Sequence, residues 1–208
     1  MLRPATVVTV KTAGAKRPNE PVVNQGPPSV PTVLVVEDEQ HLADLYTDYL
    51  ADQYHVRTAY SGEEGIELLS NDIDVVLLDR RMPVVSGNEV LAEIEERGLG
   101  CRVAMVTAVN PDFDIIGIGI DDYLVKPVTR DDLRSVVDRL SKIATYNDQL
   151  QALTGKKLKR NVLRVEKSKT ELEESERYER LEADIEELED SVDTLAEDLD
   201  VEESDLRL

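Results

Sequence analysis

The run TVLVVEDE occupies residues 32–39 and joins a short, β-branched apolar segment to three consecutive acids. An apolar run of this length, with no polar residue on either face, is typical of a strand buried inside a parallel sheet. Four further short runs are rich in β-branched or aliphatic residues, at 56–59, 75–78, 102–106 and 123–125. The sequence therefore predicts five strands between residues 32 and 125.

Stretches with the apolar spacing of helices lie between these runs, at residues 40–53, 62–70 and 87–97 and, over a shorter length, near 113–118. Helix starts are marked independently, because Ser61, Ser86 and Thr129 are each followed three residues later by an acid. Strands that alternate with helices in this way belong to an α/β fold, a doubly wound parallel sheet covered on both faces.

Polar residues follow four of the predicted strands at the point where each strand ends. Glu37 and Asp38 follow the first strand, Asp79 the third, Thr107 the fourth and Lys126 the fifth. Ligands of open parallel sheets bind beyond the carboxyl ends of the strands, so we expect these side chains to converge there. Clustered carboxylates repel one another, and a hard divalent cation such as Mg²⁺ removes that cost. The set predicts metal-assisted phosphoryl chemistry with a carboxylate nucleophile.

Four motifs resemble, in order and spacing, the receiver domains of two-component response regulators. They are VLVVEDE at 33–39, VVLLDRRMP followed by SG at 75–87, MVTA at 105–108 and YLVKP at 123–127. The resemblance covers residues 32–145 and implies a flavodoxin-like, five-stranded parallel sheet of order 2-1-3-4-5. It also implies a signalling protein that accepts a phosphoryl group from a sensor histidine kinase. Beyond this self-phosphotransfer and its own dephosphorylation, such a protein is not an enzyme.

The resemblance assigns a metal site and a phosphoacceptor to individual residues. Asp79 would be the phosphoacceptor, and Asp38 and Asp79 would coordinate Mg²⁺ directly. Glu37 would act through a bound water, and the backbone carbonyl of Arg81 would complete the protein ligands. Arg80 and Arg81 directly follow the acceptor. Their charges either alter the lifetime of the phosphoryl group or point to solvent.

The same resemblance assigns a switch to residues on the last two strands. Thr107 would bond one phosphoryl oxygen and Lys126 would neutralise another, with a cis peptide between Lys126 and Pro127. Tyr123 would be the aromatic side chain that moves on activation. Only 19 positions separate Thr107 from Lys126, which is fewer than is usual in the family, so we expect the helix near 113–118 to be short or irregular.

A third section of the chain begins where the fifth helix, starting at Thr129, runs past the end of a compact domain. Gly155 is predicted to interrupt this helix, and residues 156–169 then contain seven bases and one acid. Apolar residues recur beyond them at spacings of three and four, at Tyr178, Leu181, Ile185, Leu188, Val192, Leu195 and Leu199. This apolar seam predicts a helical pair or coiled coil.

A receiver followed by such a basic and then acidic helical tail resembles the HalX-bearing receivers of halophilic archaea. The predicted plan is a disordered leader at 1–31, a receiver domain at 32–145 and a HalX-like helical domain at 146–208. The helical domain would serve self-association as a homodimer or contact with the kinase. Two alternatives remain open, a transcription regulator that binds DNA through residues 156–169 and a receiver that binds its partners without phosphorylation.

Net charge, cysteine count and the length of apolar segments exclude several further classes of protein. The net charge is −20, so a chain-wide surface for nucleic acid or anionic membrane is excluded, and a halophilic source is favoured. Cys101 is the only cysteine, which removes intrachain disulfides and fits a reducing cytoplasm. No segment is long and apolar enough to predict a signal peptide or a membrane span.

Overall fold

The computed structural model describes residues 30–111, 117 and 119–205, with side chains described as far as residue 199. Five strands form one sheet: β1 (Thr32–Val36), β2 (His55–Ala59), β3 (Val75–Leu78), β4 (Arg102–Thr107) and β5 (Asp122–Val125). Their order is β2-β1-β3-β4-β5, and every neighbouring pair is parallel. The predicted doubly wound, flavodoxin-like sheet of order 2-1-3-4-5 is confirmed.

Two apolar cores cover the sheet, one on each face. Alternate residues of β1 point in opposite directions, so that Val33 and Val35 enter one core and Leu34 and Val36 enter the other. Helices α1 (Gln40–Leu50) and α4 (Arg130–Glu166) complete the first core, and α2 (Gly62–Leu68) and α3 (Gly87–Arg97) flank the second. Because both faces are covered, the strand-end residues form the rim of a closed sandwich.

The three helix starts marked in the sequence coincide with the observed ones. Helices α2, α3 and α4 begin directly after Ser61, Ser86 and Thr129. The Ser61 hydroxyl accepts a hydrogen bond from the Glu64 N–H at 3.2 Å, and the Asp132 N–H donates to the Thr129 hydroxyl at the same distance. These bonds satisfy backbone donors that have no partner inside the helix.

The predicted interruption at Gly155 is wrong, because α4 is continuous for 37 residues from Arg130 to Glu166. A glycine in the middle of a helix costs about 1 kcal/mol relative to alanine. The favourable residues in the turns on both sides of Gly155 offset that cost. The helix ends at Glu166, with Lys167 as its C-cap. Ser168 then caps a short helix, α5 (Lys169–Glu173), by accepting a hydrogen bond from the Glu171 N–H.

The last helix, α6 (Glu176–Asp205), folds back onto α4 and forms a helical hairpin with it. Leu153 of α4 and Ile185 and Val192 of α6 are buried in a third core, with Leu181 and Leu188 packed against them. The predicted apolar seam is thus used within the chain, as one side of a helical pair. Its residues Ile185 and Val192 are 1% and 7% exposed, so they are not free for an external partner.

Two predictions fall on residues outside the described part of the chain. The leader at 1–31 lies there except for its last two residues, and the short helix near 113–118 lies there except for Gly117. The domain limits at 31/32 and 145/146 stay predictions. No helix among the described residues has the length and apolar character needed to cross a bilayer.

Candidate functional site

Three carboxylates meet at the carboxyl rim of the sheet, where β1 and β3 end side by side. Val36 is in register with Leu78, so the residues that follow, Glu37 and Asp79, leave the sheet next to each other. One oxygen from each of Glu37, Asp38 and Asp79 can be chosen so that all three lie within 4.8 Å of one another. Glu37 and Asp79 are buried and Asp38 is exposed, so the cluster opens to solvent on the Asp38 side.

Lys126 reaches this cluster from the end of β5. Its Nζ donates hydrogen bonds to Glu37 Oε2 at 2.5 Å and to Asp79 Oδ2 at 2.7 Å, and its side chain is only 13% exposed. The Lys126 N–H donates to the Thr107 carbonyl at 2.9 Å, which holds the lysine backbone against the end of β4. The Lys126–Pro127 peptide is cis, as the resemblance implied. The structure therefore brings together acids and an ammonium that are remote in sequence.

Backbone contacts fix the position of the Asp79 carboxylate. The Asp79 N–H donates to the Val36 carbonyl at 2.9 Å, and Asp79 Oδ1 accepts a hydrogen bond from the Arg81 N–H at 3.1 Å. Gly87, the first residue of α3, lies so close that a Cβ there would be 2.2 Å from the Asp79 carbonyl oxygen. Only glycine fits at this position without moving the turn that carries Asp79. The exposed Arg81 follows in that turn, and its role as a carbonyl ligand stays a prediction.

Burial and charge act against each other on Glu37. Burial raises the pKa of Glu37 to about 7, although the hydrogen bond and the charge of Lys126 oppose the increase. Partial burial disfavours the Lys126 ammonium, yet hydrogen bonds to Asp79 and Glu37 raise the pKa of Lys126 overall. One ammonium thus faces two buried carboxyls. Glu37 is the more buried of these two carboxyls, which is why burial dominates its pKa.

The donor set fits a hard divalent cation. The side chains of Glu37, Asp38 and Asp79 offer only oxygen atoms, and no thiol or imidazole belongs to the cluster. Carboxylates that leave room for several waters are the environment in which proteins bind Mg²⁺. A cation would also relieve the repulsion between carboxylates that a single lysine compensates only in part.

Thr107 and Tyr123 are linked to each other through the backbone of Val109. The Val109 N–H donates to Thr107 Oγ1 at 3.4 Å, and the Tyr123 hydroxyl donates to the Val109 carbonyl at 2.9 Å. Thr107 is 1% exposed at the end of β4, and Tyr123 is half-buried on β5. Sequence reasoning missed Val109, because its contribution comes from backbone groups that every residue carries.

The basic stretch at 156–169 faces the acids of the helical hairpin. Lys156 pairs with Asp184, Lys157 with Glu189 at 2.6 Å, and Arg164 with Glu182 at 2.9 Å. Arg160 also reaches Glu182, while Lys167 and Lys169 pair along the chain with Glu171 and Glu173. Most of the positive charge is therefore compensated within the chain, which weighs against a surface for DNA phosphates.

Comparison with known proteins defines the class of protein to which this fold and site belong. Residues 33–138 match the response regulator receiver domain, which is more than half of the 208 residues. The chain belongs to the response regulator receiver family. Residues 142–207 match the HalX domain, so the chain joins a receiver to a HalX domain. This pair of domains is the one that the sequence motifs and the helical tail resembled.

Two curated relatives each match a little over half of the chain. A "putative transcriptional regulator" of Haloferax volcanii is 53% identical over 109 residues, which are 52% of this chain and 19% of that protein. The response regulator SaeR of Staphylococcus aureus is 35% identical over 122 residues, 56% of this chain and 54% of SaeR. The chain thus spans about a fifth of one relative and about half of the other.

Solved structures agree with the fold. A CheY-like response regulator receiver domain from Methanospirillum hungatei is 25% identical, with a TM-score of 0.51. The match covers 56% of this chain and 98% of that one. Receiver domains typically bind Mg²⁺ in an acidic pocket, and Glu37, Asp38 and Asp79 form such a pocket here.

Proposed function

We propose that this chain is a two-component response regulator that accepts a phosphoryl group on Asp79 from a sensor histidine kinase and signals through its helical hairpin. The observation that supports this most directly is the convergence of Glu37, Asp38, Asp79 and Lys126 at one rim of the sheet. The receiver family to which the chain belongs makes a histidine kinase the expected partner.

Asp79 is the proposed nucleophile. One carboxylate oxygen attacks phosphorus, the P–O bond forms, and the P–N bond to the kinase histidine breaks with its electron pair returning to the imidazole. The Arg81 N–H, which binds Asp79 Oδ1, holds the carboxylate in one orientation for this attack. Lys126 binds Asp79 Oδ2, so its ammonium already stands where phosphoryl charge arrives.

Asp38 and Asp79 would hold Mg²⁺ directly, Glu37 would act through a water, and the Arg81 carbonyl would complete the protein ligands. When bound, the cation neutralises carboxylate charge and polarises the phosphoryl oxygens. The exposed side chain of Asp38 leaves this side of the cluster open to the incoming donor.

Thr107 and Tyr123 are the proposed switch. A phosphoryl group draws nearby hydroxyl donors, and Thr107 lies at the end of the strand next to β3. If the Thr107 hydroxyl turns to the phosphoryl group, its bond from the Val109 N–H is lost, and the Val109 carbonyl that holds the Tyr123 hydroxyl shifts with it. Val109 thereby couples the phosphorylation state to the position of the aromatic ring.

Helix α4 is the proposed route from the receiver to the hairpin. Its first turns are fixed to the receiver by Arg134 with Asp52, Asp138 with Tyr54 and Arg139 with Asp122. The same helix continues without a break to the turn before α5 and carries Leu153 of the hairpin core. A shift of β5, where Asp122 and Tyr123 lie, would therefore displace the first turns of α4, and the continuous helix would transmit this displacement to the hairpin.

The test is covalent labelling. Acetyl phosphate with Mg²⁺ should add about 80 Da, roughly one phosphoryl group, to the wild type and nothing to Asp79→Asn. Asp48→Asn, which changes an exposed acid on α1, should be labelled like the wild type. An unlabelled wild type would contradict the proposal and favour a receiver that binds its partners constitutively.

A further inference from the structure

We propose that the outward face of α4 binds the same face of a second copy of this chain, as a parallel, in-register helix pair. Four positions form this face, Gly155, Leu158, Val162 and Val165, and their spacing of three, four and three is that of a two-stranded coiled coil. The inference does not depend on phosphorylation, so it can fail or succeed independently of the proposed function.

Three apolar side chains on this face of α4 are strongly exposed. Leu158 is 61% exposed, Val162 62% and Val165 83%, on a helix whose opposite side holds the buried Leu153 against α6. Successive residues of a helix are about 100° apart, which places these three within one narrow sector turned away from α6. A contiguous exposed apolar stripe of this kind marks an interaction surface.

Gly155 adds an independent observation. It lies in the middle of a continuous helix, where glycine is unfavourable. Apart from its chain neighbours and the adjacent backbone of its own helix, nothing lies within 4 Å of the Cβ that alanine would have. No close contact inside the described chain therefore requires a glycine there. A glycine on an apolar helix face permits the close approach of a second backbone, and Gly155 lies one turn before Leu158 on the same face.

The charges of the molecule favour a second copy over a different partner. The chain carries −20, yet around the stripe the bases Lys156, Lys157 and Arg160 are already paired with acids of α6. A partner that bound through unpaired bases, such as a nucleic acid, would find little free positive charge here, whereas the uncharged apolar stripe of a second copy needs none. Two copies that meet through α4 keep their acidic α6 helices on the outside, several Debye lengths apart at physiological salt or above.

The flanks of the stripe favour the parallel arrangement. Lys159 lies on one flank without an ion pair to any residue that the structure describes, and Thr154 and Asn161 lie on the other. In a parallel pair the opposite flanks meet, so Lys159 faces uncharged side chains. In an antiparallel pair like flanks would meet, and the two Lys159 ammonium groups would repel each other.

Sedimentation of the full chain from about 5 to about 500 µM is the first test, since a stripe of a few residues supports only a weak dimer. We expect a concentration-dependent monomer–dimer equilibrium at physiological salt that persists in molar KCl, because apolar contacts form the pair and the acidic helices are already screened from each other. Leu158→Glu and Val162→Glu should shift the dissociation constant at least tenfold upward with unchanged helicity. Val30→Glu, at another exposed apolar site, should not.

Disulfide cross-linking tests the arrangement, in a Cys101→Ala background that removes the single native thiol. Leu158→Cys and Val165→Cys should each form dimers on mild oxidation, and Lys159→Cys should form few. A wild type that stays monomeric throughout, or dimers that persist in both glutamate variants, overturns the proposal. Cross-linking at position 158 without cross-linking at 165 overturns the parallel arrangement.

Discussion

Glu37 illustrates at the scale of one residue how burial prepares the site for a cation. It is 2% exposed, shares Lys126 with Asp79, and has a pKa raised to about 7, chiefly by burial. Protonation of Glu37 removes a carboxylate that the proposed metal site uses. A metal ion bound there would therefore compete with this proton in the physiological pH range.

The affinity of the cluster for Mg²⁺ should depend on pH. It should rise by up to about tenfold as pH increases from about 6 to about 8, because the Glu37 carboxylate becomes available without displacing a proton. Without metal, the stability of the fold should change in the opposite direction and fall as pH rises. The pKa of Glu37 is higher in the folded than in the unfolded state, so its contribution to stability is complete below the unfolded-state pKa and is lost as pH rises through about 7. Calorimetric titration measures the affinity, and thermal unfolding in chelator measures the stability. A pH dependence of the affinity that persists in Glu37→Gln would contradict the assignment to Glu37.

Val84 has an unfavourable backbone conformation. Its φ of 64° places a β-branched residue in the left-handed region, and it is 87% exposed, so no packing offsets the strain. Val84→Gly should raise the free energy of unfolding by about 1 kcal/mol, the relief of strain exceeding the extra entropy of the unfolded chain. Urea unfolding measures the change. The half-buried neighbour Val85, which packs against a core, is the matched control, and Val85→Gly should lower the stability.

At the scale of elements, local signals predicted most of the fold. The strands and the starts of α2, α3 and α4 could be predicted because side-chain period and capping residues act over a few positions. The site followed from them, since parallel strands must end at one rim. The break expected at Gly155 did not follow, because the cost of one glycine is small beside the favourable turns around it. The pairing of the apolar seam with α4, and the part played by the Val109 backbone, depend on tertiary contacts that leave no local pattern.

Gly155 lies within the continuous helix α4, where alanine is the more favourable residue. Gly155→Ala should raise the stability of the helical hairpin by about 0.5–1 kcal/mol, because alanine restricts the unfolded chain and its methyl group meets open space. Amide hydrogen exchange in α4, measured at low protein concentration where a dimer does not form, reports the change. Exchange within β1 and β3 should stay the same. Faster exchange around residue 155 would mean that glycine is needed there within the monomer.

The whole molecule combines an excess of acid with a connector that runs from one domain into the other. Helix α4 contributes Leu133, Val137 and Leu140 to the core of the receiver and Leu153 to that of the hairpin. The hairpin is held by one small apolar core and by ion pairs, of which Lys156–Asp184 and Arg160–Glu182 are the least exposed on the basic side. Solvent-exposed pairs contribute only about 0.2–1 kcal/mol each, and α6 carries many acids that repel one another.

Salt should therefore stabilise this protein, and α6 should carry much of the effect. Glu186, Asp190 and Asp193 are exposed and form no ion pair with any residue described, so each adds repulsion without compensation. Thermal unfolding of the wild type should shift upward between about 0.1 and about 2 M KCl, as the Debye length falls from about 10 Å to below 3 Å. The triple variant Glu186→Gln, Asp190→Asn, Asp193→Asn should be more stable in low salt and respond less to KCl.

Asp184→Asn is the matched control, because it removes an acid that Lys156 does compensate and should not stabilise the protein in low salt. If the two variants respond to salt alike, specific pairs and not net repulsion govern the stability of the hairpin.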